Sequence, residues 1–174
     1  MTAPLLVRLG ARDRALMLRC AMSPRAPRVS RIGWAAVTHL GGTGPSLAAA
    51  GLPWLGCCEL RQAGELALAT LVVSHLLVQL VKRTVGRGRP AGACRLSATV
   101  REPDRFSFPS GHATASLAVA LSYAAVFPAW AGPLLLLALL AGFSRVRLAV
   151  HYPSDVLAGQ VIALGAAAAL WAAR

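Results

Sequence analysis

The sequence predicts an all-α membrane protein, a bundle of about five transmembrane helices. Two observations carry that expectation. The first is composition: 56% of the 174 residues are hydrophobic, only 14% are charged, and mean hydropathy is +0.59. Soluble domains carry about 25% charged residues. The second is distribution. The residues without charge come in blocks: Ile32–Cys58, Leu66–Val81, Ala113–Ser144 and Val156–Ala173. Apolar runs of about 18–20 residues have the length of a membrane crossing. A soluble bundle of helices apolar on every face would leave too little polar surface to meet water.

The elements follow in chain order. Residues 1–31 are Arg-rich, with Arg8, Arg12, Arg14, Arg19, Arg25, Arg28 and Arg31. Charge interrupts this segment too often for a signal-peptide core or a span. It reads as an amphipathic interfacial helix or as disorder, set before a transmembrane domain over 32–174. The expected spans are 32–55, 65–81, 112–127, 131–149 and 155–173. Pro128 and Pro133, in FPAWAGP, divide the long third block into two helices. Residues 82–111 form the longest interior connection, turn-rich and cationic. HYPS joins the last two spans, and Pro153 suits the first turn of a helix. Trp34, Trp54, Trp130 and Trp171 fall near span ends, as in an aromatic belt.

The net charge of +12 and the pI near 11.5 come almost wholly from arginine. These cations lie between apolar runs, and no RNP, zinc-finger or basic-helix pattern accompanies them. Anionic membrane lipids, not nucleic acid, are the expected partners. Cys20, Cys57, Cys58 and Cys94 form no CxxC pair and signal neither a disulfide framework nor a zinc site.

Three clusters carry chemistry. KRTVGRGRP runs from Lys82 to Pro90. FPSGH ends at Gly111 and His112, where a helix is expected to start and its free N–H groups favour an anion. SRVRLAVHYPSD runs from Ser144 to Asp155. Because the last four spans alternate direction, all three clusters fall on one membrane face. Lys82, Arg89 and Arg145 supply positive charge, and arginine forks match phosphate oxygens. Ser110, Gly111 and His112 add hydroxyl and backbone donors. His151 and Asp155 are four apart, so a carboxylate can fix the imidazole tautomer and leave the other ring nitrogen free to attack. His112 then serves as general acid. This inventory suits phosphoryl transfer through a phosphohistidine. Metal chemistry fits less well, since Glu102 and Asp104 are the only neighbouring acids and lie among arginines.

Lys82-x6-Arg89-Pro90, Pro109-Ser110-Gly111-His112 and Ser144-Arg145-x5-His151-x3-Asp155 resemble the three signature motifs of the type 2 phosphatidic acid phosphatase (PAP2) superfamily, in order and in internal spacing. The resemblance covers about residues 65–173 with the flanking spans. It implies the helical PAP2 bundle in its membrane form, in the cell membrane. It implies His151 as nucleophile oriented by Asp155, His112 as the acid, and Lys82, Arg89, Ser110, Gly111 and Arg145 as the phosphate-binding set. No cofactor or metal is expected. The implied substrates are lipid phosphates: phosphatidic acid, phosphatidylglycerol phosphate, or polyprenyl mono- and diphosphates. Vanadium-dependent haloperoxidases share the constellation but are typically soluble and larger, and the apolar spans argue against them. A non-catalytic relict is disfavoured because every catalytic position is intact.

Outside the motifs the expectations are plainer. Many bacterial relatives carry Tyr and Gly where this chain has Arg147 and Ala149, and Arg147 is expected to snorkel to the interface. Arg83, Arg87, Arg95, Arg101 and Arg105 read as loop charges. His75, Gln79 and Lys82 share a helix face and read as a polar stripe toward the bundle interior. His39 reads as a packed, hydrogen-bonded residue. With five spans the Arg-rich N-terminus shares the face of the clusters. The positive-inside rule turns that face to the cytoplasm, whereas substrate-binding arginines and the many bacterial relatives that work on the outer face point the other way, so the sequence leaves sidedness open.

Overall fold

The computed structural model describes residues 3–23, 25–90 and 105–173. Cys94, Arg95, Arg101, Glu102 and Asp104 of the long connection lie outside them. The described residues fold into α1 (Ala3–Cys20), α2 (Arg28–His39), α3 (Thr43–Gly51), α4 (Cys58–Val85), α5 (Gly111–Val126), α6 (Ala131–Arg147) and α7 (Pro153–Ala172), with 3-10 turns at Leu52–Leu55 and Pro128–Trp130. The protein is all-α, as its composition requires.

Among the described residues, three helical segments are long and apolar enough to cross a membrane: α4, Pro128–Arg147 and α7. Apolar α5 is shorter, at 16 residues. The expected first span, 32–55, is not one helix. It breaks after α2 at Gly41 and Gly42, and α3 with its 3-10 turn takes up the rest. Glycine is a poor helix residue, by about 1 kcal/mol against alanine, and Gly41 is held by packing as well: a Cβ there would meet the backbone carbonyl oxygen of His112. The chain without charge therefore bends around the start of α5. α2 packs on α6 and α3 on α4.

Helix α5 is the hub, touching α3, α4, α6 and α7. Its buried residues are Ala113, Thr114, Ser116, Leu117, Ala118, Ala120 and Ser122, nearly all small. Small residues let backbones approach, which is how helices pack where apolar surface alone gives no drive to associate. Hydroxyls add cross-links: Ser122 Oγ donates to Thr70 Oγ1 at 3.3 Å, and Tyr123 Oη to the Ala49 carbonyl at 2.6 Å. Helix α7 comes close to α5 at Gly159. A Cβ there would lie 2.6 Å from the Ser110 carbonyl oxygen and 2.7 Å from Thr114 Oγ1. Large apolar side chains, Leu76 and Leu80 on α4, Leu136 and Leu139 on α6, Leu157 and Val161 on α7, stay exposed on the outer faces. That belt is what a lipid-facing surface requires.

The N-terminal segment, expected as an interfacial helix or as disorder, is the 18-residue helix α1. It rests on α6 and α7. Arg8, Arg12, Arg14 and Arg19 are exposed, while Asp13 and Met17, one turn apart, are buried. Met17 packs with Ala113, Val146, Tyr152 and Val156.

Candidate active site

The four helix ends that alternate direction brings to one face do converge there. Lys82 ends α4, with basic residues in the last turn complementing the helix dipole. Gly86 closes that helix in the left-handed region (φ 61°), which a residue lacking Cβ adopts without strain, and its N–H reaches the Lys82 carbonyl at 3.1 Å. The turn sends Arg87 to Pro90 back across the bundle end. There the Ser107 N–H donates to the Arg87 carbonyl at 2.8 Å and Ser107 Oγ to the Gly88 carbonyl at 3.0 Å. Ser110 is the N-cap of α5; its hydroxyl accepts from the Ala113 N–H at 3.4 Å, and its own N–H donates to the Asp155 carbonyl at 2.9 Å. That last bond ties the start of α5 to the start of α7.

Arg145 closes α6 and is buried, as are His151 and Asp155. The chain after α6 turns through Ala149 at φ 59°, and both the Val150 and His151 N–H groups donate to the Arg145 carbonyl, at 3.1 and 3.2 Å. A left-handed residue makes that reversal, a conformation that glycine adopts more readily than alanine.

His151 precedes α7, so it meets Asp155 across the helix cap and not across a helical turn. Nδ1 lies 3.6 Å from Asp155 Oδ2, just beyond hydrogen-bond distance, while that oxygen accepts the Tyr152 N–H at 2.8 Å. On the other ring nitrogen, Nε2, Arg89 Nη1 stands 3.4 Å away and also donates to the Val150 carbonyl at 2.9 Å. Burial pushes the imidazole down to about 4; Arg145 and Arg89 add to that, and Asp155 opposes it. At neutral pH the ring is therefore uncharged, with one nitrogen facing a carboxylate and the other facing cations.

A cavity of about 450 Å³ meets this cluster, lined by Lys82, Gly111, His112 and His151 at one end. Leu47 of α3 and Leu68, Leu71, Val72 and Leu76 of α4 line its flank, interspersed with the polar Ser46, Ser74, His75 and Gln79. Leu47, Val72 and Leu76 are themselves exposed, so the cavity opens sideways between α3 and α4. Arg89, Ser110, Arg145 and Asp155 are buried and do not line the cavity themselves. The arrangement can take an anion at its polar end and a hydrocarbon chain along its flank.

Several residues differ from expectation. Arg87, read as a loop charge, donates through Nη1 to Asp155 Oδ1 at 2.7 Å and lies over the Tyr152 ring at 4.0 Å. Thr38 of α2 accepts from Arg145 Nη1 at 2.8 Å, buried with it; nothing in VTHLGG marks it. His75 and Gln79 are paired at 3.2 Å and line the open cavity, where an interior stripe was expected. His39 is exposed and not packed. Arg147 points away from the cavity: Nη1 donates to the Cys20 carbonyl at 2.8 Å, and its guanidinium covers Trp34 at 5.6 Å. Arg83 and Arg105 are exposed, as loop charges are.

A "Lipid A 1-phosphatase" of Rhizobium etli is 37% identical over 101 residues, 55% of this chain and 44% of that protein. A "Decaprenylphosphoryl-5-phosphoribose phosphatase" of Mycobacterium tuberculosis is 41% identical over 108 residues, 61% of this chain and 57% of that protein. The chain thus spans about half the length of these curated relatives. The crystal structure of a transmembrane PAP2-type phosphatidylglycerolphosphate phosphatase from Bacillus subtilis superposes with a TM-score of 0.78 at 23% identity, over 95% of this chain and 85% of that one. The fold is therefore that of a PAP2 membrane phosphatase. The profile of the PAP2 superfamily matches residues 64–174, from α4 through all three clusters, and the chain belongs to that superfamily.

Proposed function

We propose that this protein is an integral membrane lipid phosphatase of the cell membrane, hydrolysing phosphomonoester or diphosphate lipids without a metal, through a phosphohistidine at His151. The observation that carries the reading is the cavity that joins Lys82, Gly111, His112 and His151 to a mainly apolar flank of Leu47, Leu68, Leu71, Val72 and Leu76, most of them exposed. The names of the relatives, each a phosphatase of a lipid phosphate, support the same class.

The steps follow from the positions. The phosphate enters beside Lys82 and the N–H groups of Gly111 and His112, where the start of α5 favours negative charge. Arg89, Ser110 and Arg145 complete its hold. The neutral imidazole of His151 attacks phosphorus through Nε2, the atom beside Arg89. Asp155 keeps the other nitrogen protonated, and the 3.6 Å gap closes as positive charge grows on the ring. The P–O bond to the lipid side breaks, and the leaving oxygen takes a proton from His112, which is protonated in the complex because the bound phosphate's negative charge offsets the surrounding cations. Water, giving its proton back to His112, then hydrolyses the P–N bond. Inorganic phosphate is released together with a lipid alcohol from a phosphomonoester, or with a lipid monophosphate from a diphosphate.

The test is phosphate release from lipid phosphates by the purified protein in EDTA. His151→Ala is expected to lower the rate by at least about 10³-fold, as removal of a nucleophile does. Full activity in that variant removes the mechanism. A panel comparing phosphatidic acid, phosphatidylglycerol phosphate and polyprenyl diphosphate identifies the lipid.

A further inference from the structure

We propose that Asp13 on the N-terminal helix is a positioning residue of the active site, acting through Arg87 on Asp155, so that α1 is part of the catalytic scaffold. The inference rests on the phosphatase reading above and adds a residue that lies outside the three motifs.

The observation is a chain of contacts. Arg87 stands between two buried carboxylates. Its Nη1 donates to Asp155 Oδ1 and to Ser154 Oγ, both at 2.7 Å, and its Nη2 donates to Asp13 Oδ2 at 2.7 Å. Asp13 Oδ1 accepts the Ser154 N–H at 3.0 Å, and Oδ2 also accepts the Ser154 hydroxyl. Tyr152 lies under the guanidinium at 4.0 Å. Asp13 is 8% exposed and Asp155 fully buried.

These contacts do two things. The N–H of Ser154 is one of the four at the start of α7 that no helical carbonyl can satisfy, and Asp13 caps it from another helix. That fixes the first turn of α7, which carries Asp155. The second effect is on Arg87. Held by Asp13 on one side, the planar fork is fixed on the other, where it presents a donor to one oxygen of Asp155 and leaves the second oxygen for Tyr152 and His151. Lysine keeps the charge but has no planar fork, so it does not fix the two carboxylates in this geometry. Asp13 is also the sole acid in a helix otherwise studded with exposed arginines. A helix serving only as a membrane anchor has no use for a buried carboxylate aimed at the catalytic end.

The experiment measures kcat and KM for lipid phosphate release in EDTA with wild type, Asp13→Asn, Arg87→Lys, Arg12→Ala, and Asp13→Asn placed in an Asp155→Asn background. Folding is followed by size exclusion and thermal melting in detergent. Misplacement of a reacting group by about 1 Å costs about 10²-fold. Asp13→Asn and Arg87→Lys are therefore expected to lower kcat about 10- to 100-fold with KM little changed, and the exposed Arg12→Ala to change neither. In the Asp155→Asn background, Asp13→Asn is expected to cost nothing further, because its route of action is gone. Loss of the same size in both backgrounds means that Asp13 only holds the fold together, and it overturns the proposal. So does wild-type kcat in Arg87→Lys, a variant that keeps the charge and the helix docking. An inactive wild type removes the phosphatase reading and this inference with it, whereas an active wild type with an equally active Asp13→Asn removes the inference alone.

Discussion

Replacing Gly159 by alanine should inactivate the site without touching any polar group in it. The Cβ would lie 2.6 Å from the Ser110 carbonyl oxygen and 2.7 Å from Thr114 Oγ1. An ordinary contact of this kind needs about 3.3 Å, so α7 must withdraw from α5 by about 0.7 Å. The Ser110 N–H to Asp155 carbonyl bond, at 2.9 Å, then stretches to about 3.6 Å, where it no longer counts as a hydrogen bond. Ser110, Gly111 and His112 move with one helix, and His151 and Asp155 with the other. Overpacking of this kind costs about 1–3 kcal/mol of stability, and the widened gap between acid and nucleophile should lower kcat by about 10- to 100-fold. Gly165→Ala on the same helix is the control, since a Cβ there meets nothing within 4 Å. It should leave the rate unchanged. The assay is phosphate release in detergent with a melting curve for each variant. Gly159→Ala with kcat within about twofold of wild type would refute the argument that this contact sets the spacing.

Two further outcomes follow from the same geometry. Burial holds the His151 imidazole at about 4 instead of its ordinary 6.5, so the acid limb of kcat/KM due to this group should lie near pH 4, and Asp155→Asn, which removes the opposing pull, should move it lower still. The sign for stability is that of a group whose folded value is depressed: its contribution is complete above about pH 6.5 and lost as pH falls toward 4, which melting against pH in wild type and His151→Gln will measure. Arg147→Ala should lower stability by about 1–3 kcal/mol through loss of the Cys20 contact and leave KM for lipid phosphates unchanged. A tenfold rise in KM would make Arg147 a head-group contact.

The helices were legible because blocks without charge can only be buried or face lipid. The clustering of Lys82, Ser110, Arg145 and His151 was legible because alternate helices reverse direction, whatever their tilt. Three things were not. The break at Gly41–Gly42 lies inside a stretch without charge, and its cause is a contact with His112 that no local pattern encodes. The His151–Asp155 spacing of four gave the right neighbours by the wrong geometry, because Pro153 starts the helix after the histidine. Arg87 looks like any loop cation, since its partners Asp13 and Asp155 are 74 and 68 residues away. Composition describes what a residue is; only the fold decides which distant residue it meets.

The sideways mouth between α3 and α4 has a bearing on direction as well as on entry. Under the proposed reaction the two products differ completely in where they can go. The lipid product, alcohol or monophosphate, keeps its chain in hydrocarbon throughout, because Leu47, Val72 and Leu76 of the cavity flank are exposed on the apolar outer face. The phosphate ion has no such path and departs past the cationic end into water. Once sorted into separate phases they no longer compete together for the vacated pocket, and hydrolysis is drawn forward by that partition without any moving part.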